Sequence, residues 1–279
     1  MLKREEIKII DPFIYAYKER TLINIDLSKF PEEFHSVLSR ARVFDSSCSP
    51  EARVYLLDVD GGLYLKTAQK GSLKKEALMD DYFFRKGLGA PEVITYIEGE
   101  RDWLLTSRVE GEDCTYKDYL SDPQRLCDLL STKLRELHET DFSDCPIADH
   151  TANYLAVAER NFKAGEYDTS LFPDNWGYRT ADEAWQTLQE GKHLLKTDTL
   201  LHGDYCLPNI MLDNWRFSGF IDLGNGGVGD RHVDLFWGAW TLNFNLGTDE
   251  YRQRFFDAYG IDRVDKDILK IIAAAEVFG

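Results

Sequence analysis

The chain has 279 residues, of which 43% are hydrophobic and 13% aromatic; this is enough apolar material for one large core or two smaller ones, and it excludes a disordered polymer. A formal charge of −16 with no basic stripe argues against nucleic acid as a partner, because that binding rests on clustered Lys and Arg. No apolar run reaches membrane-spanning length, and the charged start Leu2-Lys3-Arg4-Glu5-Glu6 is not a secretory signal, so a cytoplasmic protein away from membranes is expected.

The strong acidity has two readings: a soluble, self-repelling surface, or acids gathered in a cleft for a cationic substrate. The five cysteines, Cys48, Cys114, Cys127, Cys145 and Cys206, are odd in number and have neither zinc-knuckle nor redox spacing, so reduced and mostly buried thiols are expected.

Along the chain, strand signals dominate up to about Thr106. Arg53–Val59 and Leu63–Lys66 flank the turn Asp60-Gly61-Gly62 and read as a hairpin. Ser72–Lys86 reads as a helix ending at Gly87, with Leu78, Tyr82 and Phe83 on a shared face and Asp80 and Asp81 among its solvated charges. Val93–Ile97 and Trp103–Thr106 are further strands. Beyond Arg108-Val109-Glu110-Gly111 the pattern turns helical. Ser121 and Gln124 have capping-box spacing around Pro123, and the helix that they open carries Leu126, Leu129, Leu130, Leu134 and Leu137 as core positions. Helices are expected over Thr151–Phe162, Ala181–Leu195, Val233–Asn243, Asp249–Ala258 and Lys266–Val277. The organisation is α+β, with a small β-rich N-terminal part (1–108) and a larger helical part (109–279) joined by a hinge near 107–110.

The chemistry is concentrated in His202-Gly203-Asp204-Tyr205-Cys206-Leu207-Pro208-Asn209 and in Phe220-Ile221-Asp222-Leu223-Gly224. Asn209 follows Asp204 by five residues and Asp222 follows by thirteen more, with a short hairpin between (Ile210–Leu212, a polar tip at Asn214, Phe217–Ile221). Each piece alone is most often a turn or a strand end. In this order and spacing they supply what transfer of a nucleotide γ-phosphoryl needs: a carboxylate for the acceptor hydroxyl, Asp204, and oxygen ligands for magnesium, Asn209 and Asp222.

These motifs, HGDxxxxN and IDLG, together with Leu63-Tyr64-Leu65-Lys66 upstream, resemble the aminoglycoside phosphotransferases, and the flanking Ser49-Pro50, Asp144-Cys145-Pro146 and Asn175-Trp176 resemble the 3′-phosphorylating kanamycin kinases in particular. The similarity extends over about residues 43–279. It implies a bilobal protein-kinase-like fold and ATP or GTP with Mg2+. It also implies phosphoryl transfer to a hydroxyl of an aminoglycoside, an antibiotic-resistance activity, by a monomer or weak dimer. By the same resemblance Lys66 contacts the α- and β-phosphates and Glu76 pairs with it. Ser49 lies in the phosphate-covering loop and Tyr64 stacks on the base, while the Ser107 and Val109 backbone holds the base edge. His202 and Asp234 brace the catalytic loop, and Asp174 and Glu276 bind acceptor amines.

The acceptor positions depart from that family. Gly177 and Ala275 stand where its well-known 3′ enzymes carry carboxylates, Asn225 and Trp240 where they carry arginines, and Phe244 where they carry an acid. The same chemistry on a macrolide, an amino alcohol or a sugar is therefore a second reading. A catalytically silent kinase-like binding module is a third, disfavoured because Lys66, Glu76, Asp204, Asn209 and Asp222 are all present.

Overall fold

Apolar residues on alternate positions of the N-terminal strands bury one sheet face, and in the computed structural model, which describes residues 20–169 and 177–279, this produces a six-stranded antiparallel sheet. Its strands are β1 (Thr21–Ile23), β2 (Arg42–Asp45), β3 (Ala52–Asp58), β4 (Leu63–Gln69), β5 (Val93–Glu98) and β6 (Arg101–Ser107), in the order β1-β2-β3-β4-β6-β5. The one-turn helix α1 (His35–Leu38) precedes β2. The β3–β4 hairpin closes as expected at Asp60, Gly61 and Gly62, all at positive φ, with Leu57 opposite Leu63. Leu63 and Leu65 enter a cluster with Phe30, Phe34, Val43 and Leu57, which leaves Tyr64 and Lys66 on the other face.

That other face receives α2 (Lys74–Arg85), where Leu73 and Ala77 pack on Ala68 and Leu104. The Leu73 N–H is taken by the carboxylate of Asp102, itself fully buried and also accepting from Tyr96 Oη. The inner face of α2 is not the expected one. Leu78 is 42% exposed, and Met79 is buried beside Tyr82 and Phe83 instead. Asp80, expected to be solvated, is 2% exposed, because it follows Glu76 by one helical turn on the same face.

By internal contacts the chain forms two compact units, the first running through Tyr119 and including Met211–Gly224, the second comprising Leu120–Ile210 and Asn225–Gly279. The segment after β6 carries β7 (Glu112–Asp113), which pairs with β9 (Ile210–Asp213); β9 in turn lies beside β10 (Arg216–Phe220). Tyr119, in the short α3 (Lys117–Leu120), donates its hydroxyl to Leu212 O at 2.9 Å and meets the Trp215 ring at 4.9 Å.

The second unit is built from α4 (Pro123–His138), α5 (His150–Ala164), α6 (Ala181–Gly191), α7 (His232–Leu246), α8 (Tyr251–Gly260) and α9 (Lys266–Glu276), with β8 (Thr199–Leu201) pairing antiparallel to β11 (Gly227–Gly229). The cap of α4 is Asp122, accepting from Arg125 N, and not Ser121: Pro123 occupies the first helical position and sets the start one residue later than expected. Leu126, Leu130, Leu134 and Leu137 are buried as their spacing predicts. Phe162 stacks on Trp185 with centroids 4.2 Å apart, and Phe278 meets both edge-on, fixing the end of α9. All five cysteines are free thiols.

The burial of Asp80 has a measurable consequence. One of its oxygens has no hydrogen-bond partner, and burial, with the Glu76 charge adding to it, pushes its carboxyl well above the usual range. A folded-state pKa above the unfolded value means that stability is fully present below the unfolded pKa and is lost as pH rises toward the folded one. Asp80→Asn, which cannot ionise, should therefore melt higher than wild type at pH 7–8, by roughly 2–4 °C for each kcal/mol gained. The advantage should vanish near pH 4. Parallel melting curves across that range would contradict the account.

Candidate active site

Within the first unit, alternation along β4 sends Lys66 away from the leucine cluster toward α2. Its ammonium lies 3.0 and 2.8 Å from the two oxygens of Glu76 and 2.5 Å from Asp222 Oδ1. Burial alone would lower the lysine pKa, but the charges of Asp222 and Glu76 outweigh it and raise it, so the side chain stays cationic. Lys66 is thus in direct contact with Glu76, the partner expected from sequence, and with Asp222.

Asp222 sits at φ 60, a left-handed conformation that costs a non-glycine residue on the order of 1–3 kcal/mol and persists where neighbours enforce it. The enforcing contacts are visible. Phe220 N donates to Gly89 O at 2.9 Å, and the Phe220 ring meets Phe83 of α2 edge-on. A Cβ on Gly89 would fall 3.0 Å from Gly219 Cα, so these two glycines permit the backbone approach that seats the end of β10.

Tyr64 is half-buried, and its hydroxyl accepts from Arg20 at 2.9 Å. Ser49 is exposed in the loop between β2 and β3, while neighbouring Ser47 is held by Asp45 and by Val54 N. The N–H of Ser107 donates to Glu92 O, and its hydroxyl accepts from Glu92 N. Val109 is buried.

In the second unit, the wholly buried β8 delivers His202-Gly203-Asp204 into a tight turn. Gly203 has φ 85, and a Cβ there would lie 2.0 Å from Asn225 O, so no other residue fits. The turn is organised by Asp234 of α7, which has no exposed surface. Its oxygens accept from His202 N at 2.8 Å and Gly203 N at 2.7 Å, and one lies 3.1 Å from His138 Nε2. Burial would raise the Asp234 pKa, yet the hydrogen bond from His138 and the Gly203 N–H hold it below the carboxylate range.

His138 is the functional residue that sequence reading missed. Full burial keeps its pKa low against the pull of Asp234, so the ring is neutral. Nε2–H donates to Asp234 while Nδ1 accepts from Tyr259 Oη at 2.9 Å. The available signal was a histidine ending the leucine-rich stripe of α4, on the helix's buried face.

Asp204 is partly buried. Asn209 Nδ2 donates to Asp204 Oδ2 at 2.9 Å and to its backbone O at 3.0 Å, and Asp204 N lies 3.3 Å from His202 Nδ1. Leu207 N donates to Thr241 Oγ1, tying the loop to α7 a second time. With both Asn209 hydrogen bonds made by Nδ2, its Oδ1 keeps its lone pairs for a cation; separately, in the first unit, Asp222 carries a carboxylate. Hard oxygen donors of this kind suit Mg2+, which keeps water and phosphate oxygens in its shell instead of requiring a protein cage. Among the described residues no group of three or more Asp, Glu, His or Cys forms such a cage.

Glu276, at the end of α9, accepts from Tyr154 Oη at 2.8 Å and Trp237 Nε1 at 3.1 Å. Burial raises its pKa to about 7, opposed by those two hydrogen bonds and assisted by the Asp204 charge. Asp174 lies outside the described residues.

With this geometry established, comparison with known proteins places the chain. The phosphotransferase enzyme family matches residues 41–270, and the chain belongs to it. A Lactococcus lactis subsp. lactis protein named "probable aminoglycoside 3′-phosphotransferase" is 52% identical over 257 residues, covering 92% of this chain and 98% of the relative. Among solved structures, an aminoglycoside phosphotransferase of Streptomyces rimosus in complex with ADP and streptomycin superposes with a TM-score of 0.72 at 22% identity, covering 91% of this chain and 99% of that one. An aminoglycoside 3′-phosphotransferase of type VIII gives 0.71 at 23% identity, covering 89% and 100%. The expected α+β, kinase-like fold is the one this chain has.

The Asp234-braced turn can be tested at Gly203. Gly203→Ala should cut turnover by about a hundredfold or more, a loss comparable to removing a catalytic group, because the added methyl must displace the backbone that carries Asp204. A steady-state assay on the folded variant measures it. Turnover near wild type would show that the turn tolerates a side chain and that its geometry is not critical.

Proposed function

We propose that this chain transfers the γ-phosphoryl group of ATP to a hydroxyl of an aminoglycoside, with the 3′ position as the site of transfer. The observation that carries the reading is the pairing of 52% identity to a relative of that name with a complete set of chemical groups: a lysine held between two carboxylates, and an aspartate oriented by an asparagine on a braced turn. The relative from Streptomyces rimosus holds ADP and streptomycin, which supports a nucleotide donor and an aminoglycoside acceptor.

In this mechanism Lys66, fixed by Glu76, binds the α- and β-phosphates of the donor. The carbonyl of Ser107 and the backbone of Val109 hold the base edge, Tyr64 lies against the base, and Ser49 covers the phosphates. Asn209 and Asp222 would hold Mg2+, which when bound neutralises charge developing on the phosphate oxygens. Asp204 has Oδ2 engaged by Asn209, so Oδ1 orients the acceptor hydroxyl. The acceptor oxygen forms a bond to the γ-phosphorus as the bond to the β,γ-bridging oxygen breaks. ADP departs, and the hydroxyl proton passes to Asp204. Glu276 and Asp174 bind acceptor ammonium groups, and an arriving cation would favour the ionised form of Glu276. No described helix is long and apolar enough to cross a membrane, and a nucleoside triphosphate-consuming enzyme of this kind works in the cytoplasm.

Asp204→Ala should lower turnover by about a hundredfold or more while leaving nucleotide affinity within about threefold, since it removes the proton acceptor and none of the phosphate-binding groups. A coupled ADP-release assay with kanamycin- and neomycin-type acceptors, and with ATP and GTP, measures both quantities. Near-wild-type turnover in Asp204→Ala would remove Asp204 from the mechanism. Turnover of a neutral alcohol with no aminoglycoside accepted would remove the acceptor assignment.

A further inference from the structure

A cavity of about 300 Å3 opens within the second unit, lined by residues of α7, α8 and α9. Its apolar lining is Phe236 of α7, Phe256 of α8 and Ala273 of α9, all buried, with half-buried Leu269 beside them. Residues 266, 269, 270 and 273 recur at helical spacing and share one face of α9, as Arg252 and Phe256 share one face of α8. Tyr178 also lines the cavity and donates its hydroxyl to Lys270 O at 2.9 Å.

The charge of this cavity runs against that of the chain. Asp and Glu outnumber Lys and Arg by 49 to 33. Yet the described lining residues include Arg252, Lys266 and Lys270 and no carboxylate. Arg252 and Lys270 each pair with one acid, Asp249 and Asp267, and neither acid lines the cavity. Lys266 has no ion-pair partner among the described residues. It also stands at the first position of α9, where the helix dipole disfavours a cation. Fold stability gives no reason for a lysine there, whereas an anionic ligand does.

We propose that this cavity binds a small organic anion, a flat carboxylate of one or two rings. Its apolar body packs on Phe236, Phe256 and Leu269, and its carboxylate faces Arg252 and Lys266. The volume is at the small end of ligand cavities, which suits a molecule of that size. Aromatic walls favour a flat apolar body, and guanidinium and ammonium groups favour a carboxylate. The same cations repel a polyamine, so the proposal stands independently of the aminoglycoside reading.

Calorimetric titration with benzoate and indole-3-carboxylate, beside indole-3-carboxamide and tryptamine, tests the site in wild type, Lys266→Glu and Ala273→Leu. At least one carboxylate should bind wild type one to one and raise its Tm, with the carboxamide and the amine weaker by about tenfold or more. Lys266→Glu, an exposed change, should weaken carboxylate binding by about tenfold, because it replaces an attraction by a repulsion. Ala273→Leu fills the cavity and should abolish binding; if it does not fold, Leu269→Trp carries the same expectation. Equal affinity for carboxylate and carboxamide, or carboxylate binding unchanged in Lys266→Glu, would overturn the proposal. So would binding that survives the filling variant, or failure of both carboxylates to bind wild type at millimolar concentration.

Discussion

The buried carboxylate of Asp234 is the interaction on which the catalytic geometry depends. An ionised group with no exposed surface is expensive unless donors surround it, and three do: two consecutive backbone amides and a neutral histidine. The arrangement is reciprocal. The amides of His202 and Gly203 would be costly orphans in a turn that forms no ladder bonds, and Asp234 would be an uncompensated charge without them. Tyr259 and His138 extend the network into α8 and α4, so the loop is referred to three helices at once. The position of Asp204 follows from that reference frame, and Asn209 then sets which of its oxygens faces outward.

The first unit meets a different electrostatic requirement. The phosphate-binding role proposed for Lys66 needs an ammonium both charged and fixed, and its two carboxylates accomplish this at the expense of a local excess of one negative charge. Asp222 is the more exposed of the two acids and takes a strained backbone angle. In the proposed mechanism it is therefore the partner more readily surrendered to phosphate and cation, whereas Glu76, nearly buried, keeps hold of the lysine. Asp80 lies behind this cluster without a cation of its own, a departure from ordinary burial rules of the sort that accompanies functional sites.

Much of this could be read from the residues because the chemistry is encoded locally. Asp204, Asn209 and Asp222 fall within one short stretch, and the β3–β4 hairpin and the leucine stripe of α4 follow from two- and 3.6-residue periods. What escaped depends on tertiary context. Leu78 and Met79 are equally good helix residues, and only the sheet beneath α2 decides which is buried. Asp80 resembles any surface acid until its neighbours are known. The pairing of β7 with β9 joins residues about a hundred positions apart, which no local signal reports. His138 hides for the same reason: its partners, Asp234 and Tyr259, come from two distant helices.

Hydrogen exchange at the His202 and Gly203 amides tests the Asp234 brace most directly. In wild type both should exchange as slowly as the amides of the buried strand β8, and in Asp234→Asn, where the amide can still accept but carries no charge, both should exchange faster by about tenfold or more while β8 stays protected, since bonds to a charged acceptor contribute roughly 1.5–3 kcal/mol. Fast exchange of the two amides in the wild-type enzyme, or rates unchanged by the substitution, would contradict the account.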